Sequence, residues 1–218
     1  MSLGIARDER RELCDLLTTL GPSAPTLCEG WDAQRLTAHL HVRETDPVAG
    51  IGIVVKPLSG RLDRRMDQLL ADVPFDDLVA LVRRGPGRFN PMSWPWVDER
   101  VNALEFFVHH EDLRRGGGHV VQPRIIAPDR DDWLWHQAVS MARLRLRRSP
   151  TGVVLERIRD GVRTDEVYAV STGPSPVTLR GEAGELVLWL YGRSDAAHVT
   201  LDGRPEAVEA LRGMSLGI

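Results

Sequence analysis

The hydrophobic pattern of this chain changes once, near Ser149-Pro150, and that change limits it to a helical region followed by a mixed one. Before it, apolar residues recur at helical spacing. Leu13, Leu16, Leu17 and Leu20 share a face, and Gly21-Pro22 stops that helix. A second helix opens on Asp32, a good N-cap, and carries Leu36, His39 and Leu40 to about Glu44. After a connection from Pro47 to Gly60, Leu62, Met66, Leu69 and Leu70 mark a third helix, broken at Pro74. Leu78, Leu81 and Val82 mark a short one that ends at Gly85. An apolar loop with Phe89, Trp94 and Trp96 follows. A further helix spans about Val97 to Arg115 and stops at Gly116-Gly117-Gly118. Another runs from Pro128-Asp129 to Arg148, its acidic start and basic end complementing the helix dipole.

Beyond Pro150 the pattern is that of strands. Val153 to Ile158 and Val167 to Val170 flank the hairpin signal Asp160-Gly161. Val177 to Leu179 is a third strand, Glu182 to Tyr191 a helix, His198 to Leu201 a strand, and Pro205 opens a last helix. The expected class is α followed by α+β: a helical bundle over 1–149 and a small α+β domain over 150–218.

Composition excludes several functions. The 218 residues, 42% of them apolar, suffice for a core without disulfides. A net charge of −3 argues against a dedicated nucleic-acid binder, so the run Arg143, Arg145, Arg147 and Arg148 reads as a solvated helix end. No apolar run reaches the roughly 18 residues of a membrane span. Met1 to Arg11 lacks the apolar core of a signal peptide, and Cys14 and Cys28 do not make a disulfide framework. The expectation is a reduced, cytoplasmic protein with no nucleic-acid or membrane partner, either monomer or homodimer.

The chemistry lies among the histidines. On the second helix Leu36, His39, Leu40 and Arg43 form one stripe, and His41 lies on the opposite side. On the Val97–Arg115 helix, Val101, Leu104 and Val108 define the inward stripe. Glu105 lies on it, His109 stands one turn on, and His110 is about 100° further round. Two helices thus drive His39, Glu105 and His109 into an apolar interior, where they are costly unless satisfied. Two imidazoles and a carboxylate are a ligand set of catalytic zinc that leaves a fourth position open. The other reading is a Glu105–His109 hydrogen bond beside a satisfied core His39. Cys28, in the loop before the second helix, reads first as a packing residue, with a reactive thiol as the alternative. Asp112, Arg114 and Arg115, at the end of the Val97–Arg115 helix, could orient neighbouring groups.

Three stretches carry a family resemblance. Cys28-Glu29-Gly30-Trp31-Asp32 with Leu36-Thr37-Ala38-His39-Leu40, and Asn102 through Asp112, resemble the two signatures of the mycothiol-dependent maleylpyruvate isomerase-like metal-binding proteins, of the DinB-like four-helix-bundle superfamily. Gly184 through Arg193 resembles the helix of the sterol-carrier-like domain that often follows. The resemblance implies a divalent metal, zinc first, held by His39, Glu105 and His109. It implies a small thiol, mycothiol, as cosubstrate of an isomerase or S-transferase, and it makes Arg193 a candidate anion-binding catalytic residue. A non-catalytic metal- or small-ligand-binding protein is the alternative; closure of the metal's coordination by His41 or His110 would favour it.

Overall fold

Capping and periodicity act where the sequence places them. In a computed structural model, which describes residues 4–46, 59–87, 90, 94, 99 and 102–214, Asp32 Oδ1 accepts from Arg35 N at 2.8 Å and starts the second helix. The chain is mixed α/β. Among the described residues eight helices, mostly N-terminal, accompany a C-terminal four-stranded sheet. It divides into two compact units, Met1–Val121 and Gln122–Ile218.

The first unit holds α1 (Ile5–Leu20), α2 (Ala33–Thr45), α3 (Ser59–Asp72), α4 (Phe75–Arg84) and α5 (Ala103–Arg115). α1 packs on α4 and α5, and α2 on α3 and α4. Leu13, Leu17, Leu36, Leu40, Val82, Phe106 and Leu113 form one core, continued by Ala38, Val42, Leu62, Met66 and Leu78. α5 has no single inward stripe. Phe106, Phe107, Val108, His109, His110, Glu111, Asp112 and Leu113 are all buried, so neighbours surround the helix. The connection 47–58, Phe89, Trp96 and the expected helix start at 97–98 and 100–101 lie outside the described residues, and Trp94 is half exposed.

The second unit holds α6 (Pro128–Arg145), β1 (Val153–Arg159), β2 (Val162–Ser171), β3 (Val177–Glu182), α7 (Ala183–Leu190), β4 (Thr200–Asp202) and α8 (Pro205–Arg212). Sheet order is β2-β1-β3-β4; β1 is antiparallel to β2 and parallel to β3, and β4 is antiparallel to β3. Asp160 and Gly161 both take positive φ (51° and 74°), as a two-residue hairpin turn requires.

The division falls at Val121/Gln122 rather than at 149/150, because α6 packs on α7 and β2. Its Asp131 and Asp132 do more than complement a dipole. They accept from the buried Arg157 of β1 at 2.6 and 2.8 Å, and Glu166 of β2 takes its other arm at 2.7 Å. α6 also ends at Arg145, short of Arg148.

Candidate metal centre

α2 and α5 bring the three expected residues together. His39, Glu105 and His109 each offer a ligand atom within 4.8 Å of the others. The imidazole centroids of His39 and His109 are 5.3 Å apart, edge to face, and the Trp31 ring lies 5.0 Å from that of His39. His109 Nε2 stands 3.5 Å from Glu105 Oε2. His39 and His109 are buried, whereas the Glu105 side chain is 23% exposed.

Two of the three groups are held in the form that a cation needs. Burial, reinforced by the neighbouring His109, lowers His39 to about 3 and keeps it neutral. Its Nδ1 is buried without a hydrogen-bond partner among the described residues, a cost that a metal ligand does not bear. Burial opposes ionisation of Glu105, but its bond to His109 and the Arg43 charge outweigh that and hold it at about 2, ionised. Burial also opposes charge on His109, yet bonds to Asp112, Cys28 and Glu105 raise its pKa well above the usual value. These contacts favour the protonated form of His109 in the metal-free protein, with Glu105 on its Nε2 side and Asp112 on its Nδ1 side.

Asp112 is a candidate orienting residue whose side the sequence left undecided. Fully buried, its Oδ2 meets His109 Nδ1 at 2.9 Å, which leaves Nε2 for Glu105 or a metal. Its place near the end of the helix made it one of three orienting candidates, with Arg114 and Arg115, but only the packing decides which way it points. Were the trio to hold zinc, Asp112→Asn is expected to weaken that binding about 10–100-fold, since the amide no longer fixes the tautomer or adds basicity. Competition with a chromophoric chelator measures this, and parent-like affinity would rule out the orienting role.

Cys28 is more than packing. Its thiol donates to Asp112 Oδ2 at 3.3 Å and lies 3.9 Å from His109 Nδ1. Cys14 is the core cysteine, fully buried, with burial pushing its thiol up to about 11. Among the described residues neither His41 nor His110 joins the trio; His110 Nδ1 faces Glu9 Oε2 at 3.3 Å, in a separate group with Glu12. His119, His136 and His198 are exposed. Arg193 lies in the second unit, just after α7, and donates to the Tyr191 carbonyl at 2.6 Å.

Comparison with family models, curated proteins and solved structures finds no match to this chain. Among the described residues no helix is long and apolar enough to cross a membrane.

Proposed function

We propose that this chain is a divalent-metal protein in which His39, Glu105 and His109 hold the ion. The observation that carries this is the trio itself: three donors from two helices within 4.8 Å, one of them a buried imidazole whose Nδ1 has no partner among the described residues. Two nitrogens and one carboxylate oxygen suit zinc. Among the described residues no fourth His, Cys, Asp or Glu joins the trio, which supports an exchangeable position over a closed structural site. On the resemblance of the two signature stretches, the first unit is a DinB-like bundle, and the protein is a cytoplasmic enzyme that uses mycothiol for S-transfer or isomerisation. The second unit is then sterol-carrier-like.

When bound, zinc supplies the charge that makes a thiol a thiolate at neutral pH. The chain's own residues prepare for this. His39 is already neutral. His109 gives up its Nε2 proton while its Nδ1–H stays on Asp112 Oδ2. The Trp31 ring lies 5.0 Å from that of His39 and covers part of it.

Chelator-stripped protein titrated with zinc is expected to take up about one equivalent and to release about one proton. Calorimetry in buffers of different ionisation enthalpy reads both. Binding weakens as pH falls, because protons compete for His109 Nε2. The metal-free protein has the opposite sense. The raised His109 pKa contributes stability that is complete below the ordinary imidazole range and is lost as pH rises through the raised value. No zinc uptake overturns the reading.

A further inference from the structure

Behind Glu105 a line of buried polar side chains crosses the first unit. Arg10 of α1 grips Glu44 of α2 with both arms, at 2.6 Å each, while its Nη1 also donates to the Val82 carbonyl at 3.0 Å. Its guanidinium lies 4.4 Å over the Phe106 ring. Glu44 Oε1 accepts from Asn102 Nδ2 at 3.1 Å, and Asn102 Oδ1 accepts from Arg43 Nη1. Arg43 Nε then faces Glu105 Oε2 at 3.6 Å, the same oxygen that faces His109. Arg10, Arg43, Glu44 and Asn102 are all buried.

Buried ion pairs of this kind add little stability over well-packed apolar side chains of the same size. What this line does provide is a fixed direction: it ends on one carboxylate oxygen. We propose that Arg43 is a positioning residue, held by Asn102 and the Arg10–Glu44 pair, that sets the orientation in which Glu105 meets a metal. The inference rests on reading His39, Glu105 and His109 as the metal site.

Charge and geometry act in opposite directions here, which makes the proposal testable. A positive charge beside the site repels a dication, so a role through charge alone predicts tighter metal binding once that charge is removed and no change when it is kept. A positioning role predicts weaker binding even with the charge kept. Arg43→Lys keeps the charge but, as a single-point donor, cannot span Asn102 and Glu105 together. Asn102→Leu keeps every charge and releases Arg43 from its anchor.

The experiment measures zinc affinity by chelator competition and the visible absorption of the cobalt(II) form, for the parent and both variants. Each variant is expected to bind zinc about 10–100-fold more weakly and to shift the cobalt bands. Melting of the metal-free proteins identifies any variant that has lost the fold, and the other then decides. Parent-like or tighter binding with the parent's cobalt spectrum overturns the role of Arg43 and leaves the metal site standing. A parent that takes up neither zinc nor cobalt overturns the site and the proposal with it.

Discussion

Replacing His39 and His109 together by alanine is expected to drop the zinc content from about one equivalent to background. Glu105 alone cannot hold the ion, and Asp112 and Cys28 meet the Nδ1 side of His109 in a group separate from the trio. The structural cost is finite. Removing His39 also removes a buried nitrogen without a partner, so the polar part of that change costs little. The cavities left behind cost on the order of 2 kcal/mol or more, and Asp112 loses one hydrogen bond. The proper reference is therefore the metal-free parent, with His39→Gln/His109→Gln as the companion that keeps polar volume. Elemental mass spectrometry and thermal melts read the two effects separately. A variant that folds and still carries about one equivalent would rule out this ligand set.

The second large effect is expected at Gly116, which follows α5. A Cβ there would sit 2.5 Å from Thr26 Cα and closer still to the Pro25 carbonyl. Its φ of −62° is open to any residue, so the demand is for space and not for conformation. Backbone faces backbone at this point, and no flexible side chain can yield. Gly116→Ala must push the 21–32 loop off α5, against the Leu27 N to Asp112 O bond of 3.0 Å that pins it. A loss of about 3 kcal/mol or more is expected. Zinc affinity should fall as well, because the same loop carries Cys28 and Trp31. Denaturant unfolding checks the first and chelator competition the second; a loss under about 1 kcal/mol would mean that the loop is free to move away.

Local signals proved legible. The Asp32 cap, the Pro74 break, the Asp160-Gly161 turn and the strand-rich end all stand where short-range chemistry puts them. So does the meeting of His39 with Glu105 and His109, since (i, i+4) spacing on one helix and an apolar stripe on another define facing positions. Partner choice was not legible. The period of α6 shows a helix but not which layer receives it, and the deciding contact, Arg157 to Asp131, joins residues far apart in sequence. The stripe on α5 also failed as a guide, because a helix buried nearly all round has no outer face to contrast with the inner one. His110 and Asp112 are as buried as His109 for that reason.

That enclosure of α5 also governs kinetics. Backbone amides in a helix packed on nearly every side exchange with solvent only when the whole unit opens, whereas partly exposed loops open cheaply. Two of the three donors ride on this helix, and Asp112 clamps one of them from behind. The 21–32 loop, by contrast, exposes Glu29 and Gly30 and leaves Cys28 and Trp31 only half-buried. On the proposed metal reading, exchange of a bound ion is expected to follow opening of that loop rather than fraying of the helix. The protein can be slow to unfold and still be quick to trade what it holds.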